Sequence, residues 1–252
     1  QEREDFVMEK KKNDFIAQGS ILAIASILVR VMGMIYRIPM TAIIGDKGNG
    51  FYSYAYSVYT ILLLLSSYSL PLAVSKMVSA KAQLGQWRNV KRVFICAIAF
   101  AIGIGTTFGL IVLIGAQFFT RVFFHSELAA IALRFMAPTI LIMALLGVFR
   151  GFFQGKRTMI PTAVSQIIEQ VVNAIVSVAA SYLFMKWNAD SLQQAAWGAA
   201  GGTLGTCLGA ASALLLVMFV YWLYRPVQAK LEKKDVTGNL ESYQSLFKIL
   251  IL

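Results

Sequence analysis

The chain has 252 residues, of which 58% are hydrophobic and 14% charged, with a formal net charge of +11 and a mean hydropathy of +0.68. Soluble domains are roughly 45–50% apolar and about 25% charged, so this balance excludes an ordinary soluble fold and defines an integral membrane protein. The cationic excess does not point to nucleic acid, because it is divided between alternate loops instead of gathered on one face.

Taken in order, residues 1–18 form a charged lead-in expected to lie at the membrane surface. Span 1 covers 19–44 and closes at the GDKGNG turn, 45–50. Span 2 follows at 51–75, span 3 at 92–117, span 4 at 128–152, span 5 at 161–185 and span 6 at 195–224. A basic loop at 225–241 leads to SYQSLFKILIL, read as the start of a seventh helix. The pattern predicts an all-α, polytopic bundle of six transmembrane helices. Cys96 and Cys207 both fall in apolar runs, so no disulfide framework is implied.

Of the 23 lysines and arginines, 17 fall in residues 1–18, 76–92, 150–161 and 225–248, against three in the alternate loops. By the positive-inside rule the N-terminus is expected to be cytoplasmic. Arg134 is then expected to snorkel, and Arg150 to meet cytoplasmic headgroups or the mouth of a cavity.

Span 1 (GSILAIASILVRVMGMIYRIPMTAIIG) carries two arginines in its interior, Arg30 and Arg37. At ~1.5 Å per residue Arg30 lies ~16 Å from Gly19, near the middle of a ~30 Å hydrocarbon layer. A lipid-facing charge there costs on the order of 3 kcal/mol. Seven residues apart, the two arginines differ by only ~20° around the axis, on the side that also holds Ser26, Gly33 and Thr41. Such a face calls for a cavity, and a cationic cavity for an anion. Against this, Arg37 could simply snorkel toward headgroups.

Span 5 supplies the counterpart stripe of Thr162, Gln166, Glu169, Asn173 and Ser177, bordered by Gln170. Glu169 is the only acidic side chain inside any span, which makes it a functional candidate. It lies ~12 Å deep from Pro161, close enough in level to reach Arg30 but not Arg37. The pair is either a structural tie or a device that positions Arg30 and keeps the cavity hydrated. Span 2 adds Ser53, Ser57, Thr60 and Ser67 on one line with Tyr52, Tyr56 and Tyr59 nearby, and the tyrosines nearest its outer end are accounted for by an interfacial aromatic belt. Pro39, Pro71 and Pro138 interrupt spans 1, 2 and 4, as packing irregularities or as bends that open the cavity. Gly201, Gly205 and Gly209 in span 6, and Gly105 and Gly109 in span 3, read as packing ridges.

The stretch RVMGMIYRIPMTAIIGDKGNGFYSYAYSVYTILLLLSSYSLPLAVSKMVSAK resembles the opening of Gram-positive polysaccharide exporters of the MOP superfamily, and FRGFFQGKRTMIPTAVSQIIEQVVNAIVSV resembles their span 4–5 junction. The nearest branch is that of MurJ-type lipid II flippases and their spore-cortex relatives. This resemblance implies two lobes of six helices, usually followed by two more. Residues 19–224 would form the N-terminal lobe and 225–252 the loop and start of span 7. The rest of the protein, a C-terminal lobe, is expected outside this chain, which begins without Met and ends within an apolar run.

The resemblance also implies a function: a lipid-linked sugar pyrophosphate enters between the lobes from the cytoplasmic leaflet of the bacterial cell membrane, and the lobes rock to release it outside. Arg30 and Arg37 match the family's two first-span arginines, whose planar forks suit phosphate oxygens. Glu169, Gln166, Asn173, Ser26, Ser67 and Arg150 complete the expected substrate-binding set. LLLLSSYSLP in span 2 lacks the further arginines of the Gram-negative branch, which leaves the glycolipid and the number of phosphate contacts open.

Lipid substrate, membrane lipids and the second lobe are the expected partners, with no cofactor, metal or nucleic acid. Export of another undecaprenyl-linked unit is an alternative. A MATE-type cation antiporter would share the fold but need an acidic cavity. A membrane enzyme is disfavoured by a lone His125 and one buried carboxylate. A platform without transport remains the third alternative.

Overall fold

The computed structural model describes the backbone of residues 2–189, 191–235, 238 and 240–251, with side chains from Gln18 to Leu250 within those stretches. Every element is helical: α1 (Glu2–Ser67), α2 (Leu70–Gln83), α3 (Trp87–Phe124), α4 (Ala129–Gly155), α5 (Ile160–Trp187), α6 (Gln194–Lys233) and α7 (Tyr243–Ile251). Among the described residues, five stretches are long and apolar enough to cross a bilayer: Gln18–Gln83 and α3 to α6. Exposed Ile38, Leu72 and Ile114 show that much apolar surface faces outward, as a lipid-facing bundle requires.

α1 does not run straight. Gly45 takes φ 65°, ψ −179°, a region open essentially to glycine alone. In a continuous helix Arg37 and Tyr52 would stand ~22 Å apart. Instead the Arg37 guanidinium carbon lies 5.5 Å from the Tyr52 ring centroid. The chain therefore doubles back at Gly45, and α1 is a hairpin of a first arm (2–44) and a second arm (46–67).

Two of the expected loops are largely helix. The basic stretch 76–92 holds the second half of α2, a short turn at 84–86 and the first turns of α3. Val74 and Val78 are buried and Lys76 is exposed, the periodicity of an amphipathic helix at the end of the bundle. Span 2 is interrupted immediately before Pro71, at the turn 68–69, and Pro71 occupies the first turn of α2, where its missing N–H goes unneeded. Likewise α6 runs on to Lys233, burying Gln228, instead of ending near 224.

The glycine ridge of α6 packs as read. A Cβ on Gly209 would stand 2.6 Å from the Glu169 carbonyl oxygen, and Gly201 and Gly205 press still closer on α5. Ser177 Oγ and Ser181 Oγ donate to the Gly202 and Gly198 carbonyls, each at 2.9 Å, which stitches the two helices together. Gly105 likewise seats α3 against Leu141 of α4.

One apolar cluster around Phe94, Phe149 and Phe152 joins α2, α3, α4, α6 and α7; a second, around Met40, Tyr52 and Met136, fills the Gly45 end. At the first end Glu241 pairs with Lys81, and Arg92 Nη1 donates to the Glu241 carbonyl at 2.6 Å. Lys156, in the turn after α4, lies over the rings of Trp87, Phe152 and Tyr224, its amine 4.3 Å from the Tyr224 centroid. It donates to Tyr224 Oη at 2.8 Å and to Gln228 Oε1.

Candidate functional site

Between the α1 hairpin, α5 and α6 lies a cavity of about 660 Å³. The first arm contributes Arg30, Gly33, Tyr36 and Arg37; the second arm contributes Tyr52, Tyr56, Tyr59 and Thr60. α5 adds Glu169, Gln170 and Asn173, with Thr206 from α6 and Met143 from α4. Gly33, between the arginines, lets α5 close in: a Cβ there would sit 3.1 Å from Gln170 Nε2.

Arg30 and Arg37 are both solvent-reachable and both line this cavity. Among the described residues neither makes an ion pair. The nearest recorded partner of Arg37 is the face of Tyr52, a cation–π contact that leaves its N–H fork available.

Glu169 does not bind Arg30. Its Oε2 accepts from Arg150 Nη2 at 2.7 Å, while Arg150 Nε donates to Ser165 Oγ at 2.9 Å. The reason is the antiparallel α4–α5 turn: Arg150 and Ser165 lie at equal distances from it, and Glu169 is one turn further along α5. With side chains only 12% and 25% exposed, the Arg150–Glu169 pair cancels the cavity's carboxylate. The wall therefore keeps two uncompensated positive charges.

The other expected residues fall into two groups. Asn173 lines the cavity, donating through Nδ2 to Tyr36 Oη at 3.3 Å, with its Oδ1 2.8 Å from Ser177 Oγ. Ser26 and Gln166 meet each other, at 3.4 Å, but neither is part of the cavity wall. Arg150 stands behind it, holding Glu169. Ser67 is buried at the end of the second arm, 3.1 Å from Ser66 Oγ, and away from the cavity. Tyr52, Tyr56 and Tyr59, which sequence places beside the polar line of span 2, form one wall, so the aromatic belt is not needed to explain them; their i, i+4, i+7 spacing is the signal.

Helices long and apolar enough to cross a bilayer thus enclose a cavity carrying two arginines. Residues 15–244 match the family model described as polysaccharide biosynthesis protein, so the chain belongs to that family. It is 28% identical over 238 residues to the lipid II flippase MurJ of Bacillus subtilis, covering 90% of this chain and 43% of that protein. It is 27% identical over 214 residues to the stage V sporulation protein B of the same organism, covering 85% and 40%. The uncharacterized membrane protein YabM, also from B. subtilis, is 29% identical over 242 residues, 96% of this chain and 43% of YabM. The chain thus spans about two-fifths of the length of these relatives.

Among solved structures it superposes on a MOP superfamily transporter from Pyrococcus furiosus with a TM-score of 0.70, over 92% of this chain and 49% of that one, at 14% identity. That protein is described as having a binding pocket of reverse polarity that suggests a different function. The shared fold is that of MOP superfamily transporters.

Proposed function

We propose that this chain is the N-terminal lobe of a flippase that carries a lipid-linked sugar diphosphate, lipid II foremost, across the bacterial cytoplasmic membrane by alternating access. The observation that carries this reading is the state of Arg30 and Arg37: both stand on a cavity wall whose carboxylate, Glu169, is already paired with Arg150. Guanidinium groups at the level of the hydrocarbon layer are costly unless they face a hydrated cavity or a ligand that supplies the counter-charge. A diphosphate does so with paired oxygens that match the planar fork.

Membership of a polysaccharide biosynthesis family and the likeness to a lipid II flippase support the choice of cargo. On this reading the two arms of α1 count as two spans, giving six in residues 19–224. The lysines and arginines of 1–18, of α2, of the α4–α5 turn and of 225–252 lie on the cytoplasmic side, and Gly45 faces outward. The cavity's missing wall belongs to a second lobe of the same protein, and membrane lipids surround both.

The test is translocation by the full-length protein in reconstituted vesicles. Replacing Arg30 and Arg37 together by Ala removes charge-assisted bonds of about 1.5–3 kcal/mol each and should slow transfer of the diphosphate lipid at least about a hundredfold, with thermal unfolding unchanged. An unaltered rate overturns the reading. Loss of cation or drug efflux instead assigns a MATE-type antiporter.

A further inference from the structure

A second cavity, of about 420 Å³, opens next to the first at the Gly45 end of the α1 hairpin, and Arg37 lines both. Its remaining wall is Ile38 and Thr41 on the first arm, and Asn49 and Ser53 on the second. Thr41 stands one turn beyond Arg37, and Ser53 one turn beyond Asn49, so each arm presents a short polar stripe to the cleft.

Apart from Arg37, every polar side chain on this wall is neutral. They are two hydroxyls and a carboxamide, neutral groups able both to donate and to accept. Thr41 Oγ1 donates its proton to the Arg37 carbonyl at 2.5 Å, which leaves its lone pairs as acceptors toward the cleft. Asn49 offers an NH₂ and a C=O side by side. Neutral paired donors and acceptors are poor at holding an isolated anion but suited to hydroxyl and acetamido groups. The guanidinium of Arg37 stands on the walls of both cavities.

We infer that this cleft is a carbohydrate subsite: it takes the hydroxyl- and amide-bearing sugar joined to a diphosphate that Arg30 and Arg37 hold in the larger cavity. Arg37 sits at the junction, where the sugar meets the phosphate. This inference rests on the flippase reading above and adds to it which residues select the headgroup.

The test compares two probes on the full-length protein: a polyprenyl diphosphate carrying an N-acetylhexosamine, and the same polyprenyl diphosphate without sugar. Asn49→Leu combined with Ser53→Val should weaken binding of the glycosylated probe about tenfold and leave the bare diphosphate unchanged. Thr41→Val, which preserves shape, should give a smaller loss of the same selectivity and serves if the double variant does not fold. Equal weakening of both probes, or no change in either, overturns the carbohydrate subsite while leaving the cationic cavity intact. If the wild-type protein does not prefer the bare diphosphate over the uncharged polyprenol, the flippase reading fails and this inference fails with it.

Discussion

Arg150 Nη2 stands 2.7 Å from Glu169 Oε2, and that one contact decides the sign of the central cavity. Were Glu169 free, it would offset Arg30 or Arg37 across the same space. Held from behind by α4, it leaves both guanidinium groups available.

Breaking the pair should therefore have two separable effects. Arg150→Ala leaves a partly buried carboxylate without its partner and should destabilise the full-length protein by about 2–3 kcal/mol. It should also weaken anion binding, because Glu169 then faces the cavity arginines. The swap of Arg150→Glu with Glu169→Arg should recover more than half of the stability, with a coupling of about 1–3 kcal/mol in a double-mutant cycle. A similar cycle on Arg30 and Glu169 should give a coupling under about 0.5 kcal/mol. Thermal unfolding in detergent reads both.

The hairpin depends on Gly45. At φ 65° and ψ −179°, a side chain is strained whatever space surrounds it. Gly45→Ala should cost about 1–3 kcal/mol. It should also lower the yield of a crosslink between cysteines placed at 37 and 52, which now face each other. An unchanged yield and stability would show that the reversal does not need this conformation.

Lys156 carries a pH prediction. Burial among Trp87, Phe152 and Tyr224 lowers its ammonium pKa from 10.5 to about 8, with Glu232 opposing the shift. A lowered lysine pKa means the folded protein releases this proton before the unfolded chain does, so the group's contribution to stability rises between about pH 8 and pH 10.5. A cavity of about 240 Å³ reaches the amine. Site-resolved labelling with an amine-reactive reagent should show Lys156 titrating near pH 8. Titration of Lys156 at the ordinary lysine value of 10.5 would contradict the burial.

What could be read from sequence was whatever one helix determines by itself. The angular overlap of Arg30 and Arg37 follows from seven-residue spacing, and both do line one cavity. The glycine ridge at 201, 205 and 209 likewise follows from four-residue spacing. What failed were comparisons between helices. Glu169 was matched to Arg30 by measuring depth from the ends of two distant spans, although Arg150 and Glu169 flank one short turn and can be levelled directly from it. The stretch 76–92 reads as a loop because it falls between two apolar spans, although Val74 and Val78 mark a buried helical face. The tyrosine stripe of the second arm was hidden by an aromatic-belt explanation that needs no tertiary contact. The cleft at Asn49 and Ser53 was out of reach, because it exists only once the chain reverses at Gly45.

The most direct measurement is the affinity of the purified full-length protein for a polyprenyl diphosphate against the uncharged polyprenol, in wild type and with Arg30→Gln plus Arg37→Gln. Two uncompensated guanidinium groups predict that the wild type prefers the diphosphate by at least about tenfold and that the variant loses this preference while binding the polyprenol as before. Equal affinities in the wild type, or a preference that survives the loss of both arginines, would contradict the account.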